Sequence, residues 1–223
     1  MATPTPGQRR PARMPRDLRR AQVLRVAQEL FTAEGYHHVS MDDIADRAEV
    51  SKPVLYRHFP SKLDLYLTVV DARGTDLLST VDAAIDQVQD ARDAITGVVL
   101  AYLHFVDRTG EAAALLFESD VTHDPDVRAR VERATDLVTE RLTDVLTGVP
   151  ALSPAPAGVL AQCLAAMAQQ VATRRLRDPG SPDARQTAAL VTRLAWGGVR
   201  DFLPPEDSAQ GERSAVRPSS DLG

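Results

Sequence analysis

Lys52, Pro53, Tyr56, Arg57, His58 and Lys62 lie close together in the sequence, and they are the residues here best suited to chemistry. Two ammonium groups, a guanidinium, a phenol and an imidazole are hydrogen-bond donors for phosphate oxygens and base edges. That chemistry is recognition of a polyanion, not bond-making. A search for bond-making groups finds no G-x-G-x-x-G, P-loop, H-E-x-x-H, G-x-S-x-G or C-x-x-C. No nucleophile sits in pattern with a base. The adjacent His37 and His38 lack metal-ligand spacing, since ligands on a helix need one face. We therefore expect no enzyme, no cofactor and no metal.

These side chains need a rigid carrier, and the run SMDDIADRAEVSKPVLYRHFPSK, residues 40–62, supplies one. Ser40 suits an N-cap, with Asp43 as its capping partner. Met41, Ile44, Ala45 and Ala48 recur at helical spacing and form one apolar face. Glu49-Val50 make a turn. Ser51 caps a second helix, with Pro53 in its first turn, where the missing N–H costs nothing. Leu55 and Phe59 face inward, which leaves Lys52, Pro53, Tyr56, Arg57 and His58 outside. Pro60 ends that helix, and Ser61 with Asp64 reads as the capping box of the next. A short helix that is cationic outside and anchored by two large apolar residues suits a DNA groove.

The run VSKPVLYRHFPSKLDLY also resembles the signature of the TetR family of bacterial repressors, V-S-x-G-x-L-Y-x-H-F followed by x-S-K-x-x-L. The resemblance covers the first third of the chain. It implies an all-α fold: a three-helix head with a helix-turn-helix, then a helical body that binds a small molecule and dimerises. The candidate DNA-binding set is Ser40, Met41, Ser51, Lys52, Pro53, Tyr56, Arg57, His58 and Lys62. Lys62 is expected on phosphate, with Lys62→Ala lowering the salt slope by about one unit. A two-fold dimer implies a near-palindromic operator in double-stranded DNA. The chain departs from the family pattern at Pro53 and Val54, where Gly and Ser/Thr are usual, and at Glu49, where glycine is common. A positive φ at Glu49 would cost about 1 kcal/mol relative to glycine.

The charge distribution agrees with a polyanion at one end. Residues 1–62 hold 11 Arg or Lys against 7 Asp or Glu, while the remainder holds 15 against 24. Both lysines of the chain, Lys52 and Lys62, belong to the proposed DNA site. With aromatics at only 4 %, the apolar content is largely Ala, Leu and Val, which favours close-packed helices. No apolar run approaches membrane-spanning length, and the basic N-terminus has no apolar stretch behind it. A cytoplasmic location follows as an expectation. Cys163, the sole cysteine, is expected as core packing.

Along the chain, residues 1–14 read as a disordered arm whose Arg9, Arg10 and Arg13 could reach a minor groove. Residues 15–62 read as the DNA-binding domain, 63–203 as the ligand-binding and dimerisation domain, and 204–223 as a disordered tail. About nine helices are expected. The first covers 16–34, with Leu18, Val23, Val26, Ala27, Leu30 and Phe31 buried and Gly35 as a left-handed cap. A linking helix covers 62–80. Body helices follow at 93–108, 111–119, 125–146, 157–177 and 183–202, with a break from 148 to 156. Small residues on the last two, Ala161, Ala165, Ala168, Ala172, Ala188, Ala189 and Ala195, are expected at a four-helix dimer interface.

Leu100, Leu103, His104, Leu115, Leu116, Phe117, Val138 and Leu142 come from helices expected to enclose the centre of the body, and they are the candidate ligand wall. So apolar a lining suits a lipid-like ligand better than a sugar or nucleotide. The blocks AALLFESDVTHDPDVRARVERAT and LAWGGV, taken with the head, are similar to FasR-type fatty-acid-synthesis regulators within the TetR family. That likeness implies a long-chain acyl-CoA ligand, with Arg128, Arg130, Arg174 or Arg175 meeting its phosphates, and control of lipid or fatty-acid synthesis genes. Two other readings stand beside it. One is a dimeric TetR-like repressor of an efflux or catabolic operon, with a different ligand or none. The other is an enzyme with a helical body, which the absence of paired catalytic groups leaves without support.

Overall fold

The computed structural model describes residues 15–199, apart from 89, 122, 149–151, 179 and 181. The arm with Arg9, Arg10 and Arg13, and the tail with the end of the last helix, lie outside the described residues. Those described form nine α-helices and a 3-10 turn, with no strand among them. The order is α1 (Arg16–Glu34), α2 (Met41–Arg47), α3 (Lys52–His58), α4 (Lys62–Ile85) and α5 (Ala91–Thr109). A 3-10 turn (Gly110–Ala113) leads into α6 (Ala114–Phe117), then α7 (Pro125–Thr147), α8 (Pro154–Arg177) and α9 (Ala184–Val199). Among the described residues, no helix is long and apolar enough to cross a membrane.

Helices α1 to α3 pack around Val26, Phe31, Ile44, Leu55 and Phe59, each at most 3 % exposed. Leu65, Tyr66 and Val69 of α4 close that core from below and are completely buried. The buried side chains then continue without a gap along α4 into the body, where α5 packs against α4, α8 and α9, and α7 against α4 and α8. Gly74 makes the α4–α7 contact close: a Cβ there would lie 3.0 Å from the Ala134 Cβ. The interior glycine of α4 therefore sets a helix–helix distance rather than merely loosening the helix.

The structure corrects several sequence expectations. Helix α4 runs on to Ile85 because Leu77, Val81 and Ile85 keep one stripe buried. Helix α8 starts at Pro154, not 157, since Pro154 and Pro156 fall in its first turn, where N–H groups have no helical partner anyway. Leu18 is 60 % exposed, one turn too early on α1 to reach the core. Cys163 is exposed. Gly35 has positive φ, but its ψ of 157° is extended rather than left-handed helical. Ala161, Ala165, Ala168, Ala172 and Ala188 are fully buried inside the subunit. Of the large apolar residues expected between those alanines, Leu190 and Leu194 do face outward, at 54 and 74 % exposed, joined by Val159 at 62 %.

Candidate functional site

Local chemistry fixes the angle of α3. At the start of α2 the capping box closes in both directions: Ser40 Oγ accepts from the Asp43 N–H at 3.1 Å, and the Ser40 N–H donates to Asp43 at 2.8 Å. The Ser40 hydroxyl, donating to the Asp43 carboxylate at 2.6 Å, and then the Ser40 N–H hold that carboxyl below its ordinary pKa. At the end of α2 the Val50 N–H reaches the Ala45 carbonyl at 3.0 Å and the Glu49 N–H reaches Asp46 at 3.1 Å. This is the Schellman pattern, whose residue of positive φ is normally glycine. Here it is Glu49, at φ 53°. The Gln22 amide also donates to the Ala48 carbonyl, tying the turn to α1.

Helix α3 is pinned by Leu55 and Phe59, 0 and 1 % exposed, and shows Lys52, Pro53, Tyr56 and Arg57 to solvent. Lys52 is already engaged, 2.7 Å from the Asp42 carboxylate, which raises its pKa. Ser51 occupies the N-cap position but makes no side-chain capping bond, so its hydroxyl stays available. Arg20 of α1 lies over the Phe59 ring, 4.6 Å from its centroid. With Arg16, Arg19 and Arg57 it surrounds His58. Burial and these four arginines depress the His58 pKa, and its Nε2 is buried with no hydrogen-bond partner among the described residues.

Three expected contacts stand differently from the sequence reading. Met41 is buried, 8 % exposed, so its side chain belongs to the head core and only its backbone is left for a ligand. His58 turns into the α1–α3 contact rather than outward. Lys62 places Nζ 2.9 Å from the carbonyls of both Tyr36 and Val39 and 4.2 Å from the Tyr36 ring centroid. Two of its three donors thus brace the α1–α2 loop, leaving one for phosphate. Sequence spacing cannot show this, because loop and lysine lie 23 and 26 residues apart.

In the body, Leu103, Leu115, Leu116, Val138 and Leu142 are buried together, and Leu100 and Phe117 are half-buried. His104 is exposed and leaves the candidate wall, because α5 turns the one stripe containing it outward. The sequence reading passed over Tyr102. It is completely buried, with its ring stacked on Phe117 at 5.9 Å, and its hydroxyl has no partner among the described residues. Such an unmade bond costs about 1–3 kcal/mol. Tyr66, by contrast, satisfies its hydroxyl on Ser119 Oγ at 2.9 Å. The sequence signal for Tyr102 is a phenol within the apolar run Gly97–Leu103 of α5.

The arginines proposed for a ligand head group divide. Arg130 pairs with Asp71 at 2.5 Å, and Arg175 is held by Asp107 and the Pro182 carbonyl. Arg128 and Arg174 are exposed, with no ion pair among the described residues. No group of three His, Cys, Asp or Glu among the described residues could hold a metal ion.

Residues 23–69 match the family described as bacterial regulatory proteins, tetR family. The chain is 38 % identical over 196 residues to the HTH-type transcriptional activator FasR of Mycolicibacterium smegmatis, covering 88 % of this chain and 90 % of that protein. A TetR-like transcriptional regulator from Rhodococcus sp. RHA1 superposes with a TM-score of 0.68 at 26 % identity, covering 84 % of this chain and 99 % of that one. FadR from Bacillus subtilis, solved in complex with stearoyl-CoA, shares the fold at a TM-score of 0.69 and 16 % identity, over 80 % of this chain and 98 % of that one.

Proposed function

The chain belongs to the TetR family of DNA-binding transcription regulators, a non-enzymatic family, and from that premise we propose a homodimer whose body senses a long-chain acyl-CoA and whose heads control lipid or fatty-acid synthesis genes. Residues 15–62 serve as the DNA-binding domain, with Ser51, Lys52, Pro53, Tyr56 and Arg57 as its outer contacts, and the rest of the described chain as the ligand-binding and dimerisation domain. The observation that carries the ligand half is the reach of the FasR likeness. It covers 196 residues and so includes the body, where ligand choice would reside. The stearoyl-CoA found with FadR illustrates what this fold accommodates in another protein.

The dimer half rests on Val159, Leu190 and Leu194, large apolar side chains left in water on α8 and α9. A second copy packed there would remove them from it. The ligand acts only if it prefers one spacing of the two heads over the other.

A second reading keeps the DNA head and gives the body another ligand or none, with an efflux or catabolic operon as target. One observation favours it: Leu103, Leu116, Val138 and Leu142 are at most 3 % exposed and form part of the continuous core. Selection of bound fragments from the source genome, with and without palmitoyl-CoA, separates the two. The first reading expects operators beside lipid genes and a changed yield with palmitoyl-CoA. Unaltered retention, with no rise in melting temperature on adding any acyl-CoA, would leave the second.

A further inference from the structure

We infer that the Tyr102 hydroxyl donates to the carbonyl oxygen of an acyl ligand whose polar head lies in the cleft between the end of α6 and α8. The inference rests on the acyl-ligand reading above and names the residues that would hold that ligand.

Tyr102 does nothing for packing that phenylalanine would not do, because its ring alone makes the stack on Phe117. Its oxygen is sealed from water and unpaired in a protein where the buried Tyr66 found Ser119. Buried polar atoms are almost always paired, and none of the described residues supplies the partner, so a ligand is the group to look for. Burial also raises the phenol's pKa, which keeps it protonated and a donor. A neutral donor within the apolar core, beside the Phe117 ring, calls for an uncharged acceptor on an apolar chain, as in a thioester or ester carbonyl.

Phe117 joins this spot to the surface. Its ring meets Tyr102 on one side and Phe105 at 5.8 Å, and it also walls a cleft of about 550 Å³. The other walls are mostly polar, with Ser119, Gln169, Gln170, Thr173 and Arg177 among them. Thr173 bonds its own helix, and Arg177 is held by Glu118. The two glutamine side-chain amides have no hydrogen bond among the described residues. Glu118 lines the cleft too and neutralises Arg177, so the two amides are the donors and acceptors left for the amide groups of a ligand head. The volume falls in the ordinary range for a small-molecule site.

The test uses the full chain and three probes: palmitoyl-CoA, palmitate and free coenzyme A. Tyr102→Phe should weaken palmitoyl-CoA binding about fivefold to tenfold by calorimetry. Its unliganded melting temperature should equal or exceed that of the wild type, because the orphan hydroxyl is gone. Gln169→Leu should weaken palmitoyl-CoA and leave palmitate unchanged. Equal palmitoyl-CoA affinity in wild type and Tyr102→Phe overturns the inference while the acyl-ligand reading survives. So does a Tyr102→Phe protein that melts lower than wild type. An unchanged affinity in Gln169→Leu removes the head group from the cleft. A wild type silent toward all three probes removes both this inference and the acyl-ligand reading.

Discussion

Arg16, Arg19, Arg20 and Arg57 in the head have no carboxylate partner among the described residues, whereas Arg73, Arg108, Arg130, Arg141, Arg175 and Arg177 in the body each meet an aspartate or glutamate. The same side chain serves two purposes. In the body it staples helices: Asp71, Asp76 and Asp82 of α4 and its C-cap Asp86 are gripped from α5 and α7 by Arg108, Arg130 and Arg141. Each staple is worth only about 0–1 kcal/mol at the surface, but together they tie the linking helix to the body. In the head, unmated guanidinium groups are free to displace counterions from a duplex. A mated arginine has already lost that capacity.

The most severe way to probe this contrast is to remove the anchor of α3. Leu55→Ala should cost about 3 kcal/mol and abolish operator retention. If head and body are separate units, circular dichroism should lose no more than the head's helices; complete unfolding at the same denaturant concentration would contradict the division. Charge deletions come next. Arg16→Ala with Arg20→Ala should flatten the salt dependence of DNA binding by about two units, measured by anisotropy titration at several salt concentrations. Arg108→Ala with Arg130→Ala should leave that slope alone, and equal slopes for the two pairs would erase the contrast.

Lys62→Met separates bracing from binding. It should lower thermal stability by about 1 kcal/mol through the Tyr36 and Val39 carbonyls, and change the salt slope by less than either Arg16 or Arg20 does. Glu49→Gly should act in the opposite direction, raising stability by about 1 kcal/mol by relieving the positive φ. His58 gives the smallest effect. Its pKa is depressed in the folded head, so unfolding takes up a proton, and stability should fall as pH drops through about 6.5 towards the native value. The profile for His58→Gln should be flatter over that window; identical profiles would mean that the arginine cluster leaves His58 untouched.

Much of the head was legible because its rules are local. Caps, the Pro at the start of α3 and the Leu55/Phe59 spacing act within a few residues, so the bounds of α1 and the capping box of Ser40 followed from sequence. The Glu49 penalty was legible for the same reason. The body was less so. Ala-rich helices are apolar on several faces, and composition alone does not say which face turns inward. Spacing alone therefore puts the alanines of α8 at a dimer contact, Cys163 in the core and His104 on a ligand wall, whereas the fold buries the alanines and exposes Cys163 and His104.

The sequence by itself determined that the chain is helical, that a short cationic helix sits near its N-terminus, and which family it resembles, because periodicity, caps and a dense motif are all encoded within one or two turns. Only the tertiary structure decided that Lys62 faces two carbonyls, that Arg108, Arg130 and Arg141 of the body are mated to α4 while Arg16, Arg19, Arg20 and Arg57 of the head have no carboxylate among the described residues, and that the Tyr102 hydroxyl is left alone. Those outcomes depend on which groups from distant segments arrive within about 3 Å of one another, the range over which a hydrogen bond forms. Sequence spacing does not contain that distance.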